Sequence, residues 1–291
     1  NAAVQALLFK AQVERNELTG EMDPVVRLID FRHPETNTFH AINQVRVDTP
    51  GCVKACIIPD LVLFVNGIPL VIVEAKIGGQ TCANPLHEAF VQLQRYRDAR
   101  PETAAAGLRE GEPRLFHPNL LLIRTCGEQA EFGTISAQEE HFTSWEEIPG
   151  SPAQVARAAS NDPYGPRSQE ELIHGMLRKD VLLDLLRTCT VFMDTDSGRR
   201  VKVTARYQQY RAATKIRERL RHGSTPQERS GVVWHTQGSG KSLTMVFVTR
   251  MLRTSHDLHD WKVILVNDRS DLEEQLAGTA ALIGGKVKVI A

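Results

Sequence analysis

Two apolar runs, residues 61–65 and 68–73, are separated by Asn66-Gly67 and nothing else. Asn-Gly is a strong short-range signal for a tight hairpin, because both positions tolerate positive φ. Polar residues bracket the hairpin: Pro59-Asp60 opens it and Glu74-Ala75-Lys76 closes it. Charge at the end of an otherwise continuous apolar strand costs desolvation energy and calls for a task. Side chains alternate faces along a strand, so the pairing register decides whether Asp60 and Glu74 meet. A plain two-residue loop pairs Asp60 with Val73 and turns Glu74 to the other face. A one-residue bulge, or a three-residue loop that takes in Ile68, pairs Asp60 with Glu74. Pro69 lacks a ladder donor and is a natural place for such an irregularity. We therefore expect a bulge or the longer loop. Lys76 follows Glu74 by two residues and shares its face in any register.

An acid opening one strand and an acid-x-lysine closing the next suit metal-dependent phosphodiester hydrolysis. Asp60 and Glu74 would hold a hard divalent cation such as Mg²⁺ through oxygen, and Lys76 would position or activate the attacking water. The plainer reading makes Asp60 a turn cap and Glu74 and Lys76 an exposed strand end. Gln92 and Tyr96 lie one turn apart on the following helix and share a face that could reach back to the site or to a DNA backbone.

The 291 residues are 42 % apolar and 24 % charged, which describes an ordinary globular chain of about two domains. No apolar run approaches the roughly 20 residues that span a bilayer, and no basic-then-apolar leader opens the chain. Cys52, Cys56, Cys82, Cys126 and Cys189 are odd in number and scattered, which suits a reducing cytoplasm. Cys52 and Cys56 have no second Cys/His pair at metal spacing and read as structural. A formal net charge of zero argues against a general nucleic-acid coat and leaves room for DNA binding in a local cleft.

Apolar Val4, Leu7, Leu8 and Ala11 predict a helix over residues 1–20, stopped by Gly20. Strands are expected at 25–29, 39–47, 60–65, 68–73 and 120–124, with a helix at 85–97. Together they make a compact α/β unit ending near Trp145. The Pro-, Gly-, Ser- and Asn-rich stretch 149–170 is a boundary candidate. Helices follow at 172–188 and at 201–220, the latter opening near Arg206 and ending at His222-Gly223. The alternation of strand 231–235, helix 242–252, strand 261–266 and a helix from 271 predicts a parallel sheet of the nucleotide-binding kind. The expected domains are 1–150, a connection over 151–200, and 201–291.

Between strand and helix stands Thr236-Gln237-Gly238-Ser239-Gly240-Lys241-Ser242. Backbone N–H groups of such a loop cradle phosphate, Lys241 reaches the β and γ oxygens of ATP, and Ser242 ligates Mg²⁺. Gln237, Gly238, Ser239 and Gly240 complete the cradle. The fuller phosphate-loop pattern wants Gly where His235 stands, a departure that fits the looser first motif of helicase-type motors. Upstream, Arg206, Gln209 and Ala212 lie on one helix and look like the adenine-recognising Gln element of superfamily 2 helicases. Downstream, residues 266–275 resemble their second conserved block.

These residues carry a family resemblance. Phe39-His40-Ala41-Ile42-Asn43-Gln44, residues 59–67, Val73-Glu74-Ala75-Lys76, Gln92 to Tyr96, Gly133-Thr134-Ile135, Arg206 to Tyr210 and Trp234 to Ser242 run in the order found in the restriction and translocation (R) subunit of type I restriction-modification enzymes. The resemblance implies an α/β architecture, with a PD-(D/E)xK nuclease-like mixed-sheet domain followed by an incomplete RecA-like parallel motor lobe. It implies Asp60 and Glu74 on Mg²⁺, Lys76 assisting water attack, and Gln92 and Tyr96 as auxiliary residues. It further implies ATP-driven translocation of double-stranded DNA, with methyltransferase and specificity subunits as partners. The chain opens on Asn1 and ends before any Asp-Glu-x-His pair or arginine finger, so the expectation is a fragment that binds ATP weakly at most and does not hydrolyse it. Competing expectations are a DNA-repair helicase-nuclease, a non-catalytic docking module with a nuclease-like fold, and a phosphate-loop switch or kinase.

Overall fold

A computed structural model describes residues 2–12, 17–19, 25–78, 82–127, 129–146, 168–195, 197–260, 262–266 and 278–283. The chain divides into two compact units, Asn1–Leu183 and Asp184–Ala291. The division falls inside the stretch read from sequence as a connection.

The first unit is built on a five-stranded mixed sheet whose spatial order follows the chain. Its strands are β1 (Phe39–Asn43), β2 (Leu61–Val65), β3 (Ile68–Ala75), β4 (Leu121–Thr125) and β5 (Ala130–Gly133). Neighbours pair antiparallel except β3 and β4, which run parallel. A parallel pair cannot be joined by a tight turn, and here the crossover carries helix α1 (Pro85–Arg97). The Asn84 side chain accepts the His87 N–H, and Pro85 takes the first helical position, where its missing N–H costs nothing.

Helix α1 buries Leu93 and Tyr96 against Val62, Ile72, Leu122, Phe116 and Phe142. The opposite sheet face, with Val71, Leu121 and Ile123 also buried, is crossed by residues 168–179. The Ser168 hydroxyl donates to the Ala130 carbonyl at 2.9 Å on one edge strand. Gly175 meets the Trp145 ring, which packs on Phe132. Lys179 lies 5.0 Å from the Phe39 ring centroid on the other edge strand. Residues 168–179 are thus the second layer of this unit.

A close backbone approach fixes the exit from α1. The Gly111 N–H donates to the Asp98 carbonyl at 2.7 Å and the Glu112 N–H to Tyr96 at 2.9 Å. A Cβ on Gly111 would run into the Arg95 and Tyr96 carbonyls. Gly111→Ala is therefore expected to destabilise the unit by roughly 3 kcal/mol, read as a melting temperature lowered by on the order of 10 °C.

In the second unit, Thr190–Asp194 and Arg200–Thr204 form an antiparallel hairpin. Helix α2 (Lys179–Thr188) leads into it, and α3 (Tyr207–His222) and α4 (Lys241–Thr254) pack side by side. Several sequence expectations are corrected here. Residues 201–204 are strand rather than the start of a helix, because Val201 and Val203 find cross-strand partners in Met193 and Val191. The expected strand at 231–235 is irregular chain, with Val232 and Trp234 90 % and 88 % exposed. Residues 262–266 are likewise irregular, and Ile264 and Val266 are exposed. A strand holds only where a neighbour takes up its N–H and C=O groups, and the hairpin is the one strand pair among the described residues of this unit. No parallel sheet forms among them. The helix expected over 1–20 stops at Phe9, because Ala11–Gln12 pairs with Val25–Val26 instead. The boundary segment at 149–167 and the helix expected from 271 lie outside the described residues.

Candidate functional sites

The hairpin carries a bulge, one of the two irregularities expected from the sequence. Asn66 and Gly67 have φ of 50° and 79°, so the turn is a two-residue type I′. Val65 pairs with Ile68 and Phe64 with Pro69, but Leu63 pairs with Val71, leaving Leu70 as the extra residue of a bulge. The bulge directly follows Pro69. Leu61 then faces Val73, and one further step along the ladder sets Asp60 opposite Glu74. The Asp60 Oδ2 accepts the Ala75 N–H at 2.8 Å. Lys76 Nζ donates to Glu74 Oε1, and the Lys76 N–H is held by the Thr125 carbonyl at 2.9 Å. Asp60, Glu74 and Lys76 therefore converge.

The Glu74 side chain is fully buried, and its Oε2 has no hydrogen-bond partner. Burial pushes its carboxyl up to about 7; the Lys76 hydrogen bond and charge oppose this, and the Asp60 charge adds to it. A buried carboxylate oxygen without a donor, next to a second carboxylate, suits a hard cation. No group of three or more His, Cys, Asp or Glu side chains able to hold a metal occurs among the described residues. Two carboxylates suffice for Mg²⁺, which keeps waters and takes substrate phosphate oxygens as its remaining ligands.

Burial of this carboxyl sets a pH dependence. Its folded value lies above the ordinary 4.5, so between about pH 4.5 and 7 the folded chain binds more protons than the unfolded one and loses stability as pH rises. The loss amounts to about 3 kcal/mol above pH 7 in the metal-free chain. Glu74→Gln is expected to melt higher than the unsubstituted chain at pH 8 in EDTA and to match it at pH 5. Equal melting temperatures at both pH values would refute the assignment.

Tyr96 donates to the Ile58 carbonyl at 2.9 Å, and the Gln92 amide donates to the Tyr96 hydroxyl. These two residues thus hold the backbone two positions before Asp60. Burial and the nearby Glu74 charge both raise the Tyr96 hydroxyl. Sequence reasoning gave no role to Arg124, which lies in register with Glu74 on β4. It is 7 % exposed and bonds Glu131 at 2.9 Å and Glu139 at 2.6 Å. His87 at the start of α1 bonds the other Glu139 oxygen at 2.8 Å. A charged residue inside the apolar run 120–125 was the signal, of the same kind that singled out Glu74.

In the second unit the glycine loop precedes α4, and Gly238 and Gly240 have φ of 77° and 78°. Those left-handed values favour glycine and turn the chain into the N-terminus of α4, where free N–H groups favour an anion. Lys241 Nζ donates to the carbonyls of His235 and Thr236 at 3.2 and 3.0 Å, so its ammonium lies over the loop. Ser242, next to it, occupies the first turn of α4. Gln237 stands in the turn that enters the loop, and Ser239 is fixed by its N–H on the Thr236 carbonyl at 3.3 Å. The Gln209 side-chain amide donates to the loop's Ser239 and Gly240 carbonyls, each at 3.1 Å.

Residues 1–141 match the family of type I restriction enzyme R protein N termini, and residues 208–290 match the SWI2/SNF2 ATPase family. The type I restriction enzyme HindI endonuclease subunit of Haemophilus influenzae is 33 % identical over 92 % of this chain and 24 % of its own length. A putative type I restriction enzyme MjaVIIIP endonuclease subunit of Methanocaldococcus jannaschii is 28 % identical over 88 % of this chain and 22 % of its own. The SsaAORF53P endonuclease subunit of Staphylococcus saprophyticus is 26 % identical over 88 % and 23 %. The chain spans about a quarter of the length of these curated relatives. No helix among the described residues is long and apolar enough to cross a membrane. The motif order, the converging carboxylates and this similarity along nearly the whole chain make it a member of the type I restriction enzyme R (endonuclease) subunit family.

Proposed function

We propose that this chain carries the Mg²⁺-dependent DNA-cutting centre and the ATP-binding loop of a type I restriction endonuclease. The first unit acts as a PD-(D/E)xK nuclease domain, and the second contributes to an ATP-driven motor on double-stranded DNA. Its partners are the methyltransferase and specificity subunits of the same complex. The observation that carries the reading is the meeting of Asp60 with a buried Glu74 whose Oε2 lacks a donor. That arrangement favours catalysis over a docking role.

Asp60 and Glu74 bind the cation, Lys76 orients and polarises the attacking water, and Gln92 and Tyr96 hold the Asp60 segment in place. When bound, Mg²⁺ supplies charge stabilisation at the scissile phosphate. Gln237, Gly238, Ser239, Gly240 and Lys241 hold the ATP phosphates, and Ser242 serves the nucleotide's Mg²⁺. The test is plasmid cleavage by the full-length subunit assembled with its partner subunits and ATP. EDTA is expected to abolish cutting and added Mg²⁺ to restore it. Cutting that persists in EDTA would overturn the metal mechanism.

A further inference from the structure

A row of charged side chains crosses the sheet at the site. Asp60 stands opposite Glu74, Glu74 in register with Arg124 on β4, and Arg124 opposite Glu131 on β5. Paired residues of neighbouring strands share a face. Here it is the face that Val62, Ile72 and Leu122, each two positions away, turn to α1. Arg124 is therefore the neighbour of Glu74 on one side, and Glu74 Oε2 has no hydrogen-bond partner. A buried carboxylate beside an arginine is a ready partner for it, because the guanidinium fork matches two carboxylate oxygens. That pair does not form here. Arg124 Nε and Nη2 donate to Glu131 Oε2 at 2.9 and 2.5 Å. Nη1 donates to Glu139 Oε1 at 2.6 Å, and the guanidinium lies 5.0 Å from the Phe142 ring centroid. His87 holds the other Glu139 oxygen at 2.8 Å. Two carboxylates outside the site thus take up the positive charge that stands beside Glu74.

We propose that Glu131 and Glu139 are positioning residues that hold Arg124 off Glu74 and so leave its Oε2 open to a divalent cation. The proposal rests on the metal-binding reading of Asp60 and Glu74. Neutralising the two glutamates removes the charges that anchor Arg124 and leaves Glu74 beside it. Opposite charges attract strongly where water is excluded, so the guanidinium moves onto the oxygen that the cation needs.

Two measurements test it. The first needs no metal. A crystal structure of the metal-free full-length subunit carrying Glu131→Gln and Glu139→Gln is expected to show Arg124 hydrogen-bonded to the Glu74 carboxylate. A guanidinium still held by residues 131 and 139 would overturn the proposal.

The second is calorimetric binding of Mg²⁺ to the nucleotide-free full-length subunit, with Glu74→Ala marking the heat that belongs to this site. The double variant is expected to bind Mg²⁺ more weakly by a factor on the order of ten. Adding Arg124→Met to the double variant is expected to restore the original affinity, a rescue that damaged packing does not allow. Unchanged binding in the double variant, or a loss that Arg124→Met leaves unrepaired, would overturn the proposal. If the unsubstituted subunit binds no Mg²⁺, the metal reading itself falls, and the crystal structure alone decides whether the two glutamates hold Arg124 off Glu74.

Discussion

Glu74→Ala in the full-length subunit, assembled with its partners, is expected to lower DNA cleavage by a factor on the order of a thousand while ATP turnover stays within about twofold of the original. The two effects separate because Glu74 belongs to the first unit and the glycine loop to the second. The size follows from what is removed. The Glu74 carboxylate is fully buried beside Asp60, with one oxygen on Lys76 and the other without a donor. The substitution relieves the desolvation of a buried carboxylate but leaves a cavity, so a melt separates misfolding from lost chemistry. Lys76, left without its partner, is 22 % exposed and can carry its charge to water. A circular dichroism melt at pH 8 no lower than that of the original chain, together with lost cutting, would place the defect in chemistry. Retained cutting would remove Glu74 from the site and leave the first unit as a docking module.

Lys241→Ala is expected to remove both activities, ATP turnover by at least about a hundredfold and ATP-dependent cutting along with it. Lys241 is exposed, and its bonds run to two carbonyls of its own loop. Its contribution to the fold is therefore small, about 1 kcal/mol or less. Its contribution to nucleotide binding is large, because no second ammonium joins it over those carbonyls among the described hydrogen bonds. Cutting that survives Lys241→Ala while ATP turnover is lost would mean that cleavage does not depend on the motor.

The hairpin shows how far sequence reasoning reaches. Asn66-Gly67 fixed the turn type by the φ values it demands, and Pro69 marked where the ladder would slip. Requiring one face for Asp60 and Glu74 then left a bulge as one of two solutions, and the bulge at Leu70 is the one found. Helix α1 was legible because its apolar positions recur at helical spacing, and the structure adds the Asn84 cap that starts it. Arg124 was passed over because an arginine closing an apolar strand declares no partner. Glu131 and Glu139 are seven and fifteen residues away and reach it only once β5 and the following turn have folded.

The second unit shows the limit. Val232-Val233-Trp234 has strong strand propensity, yet it remains irregular and exposed. Val201-Lys202-Val203-Thr204 became strand because Thr190–Asp194 lies beside it. The difference lies in the neighbour: propensity is local, whereas a strand's hydrogen bonds are made to another part of the chain.

By itself, then, the sequence determined the local elements and the chemical inventory: the Asn-Gly turn, the period of α1, the acid pair with its lysine and the glycine loop. Each is set by backbone sterics or side-chain chemistry within a few residues. Tertiary structure alone decided that Glu74 is buried with an unanswered oxygen, that Arg124 braces the sheet beside it, and that Gln209 turns its amide into the glycine loop. Those outcomes depend on which groups meet after packing, and residues 30 positions apart carry no local signal of meeting.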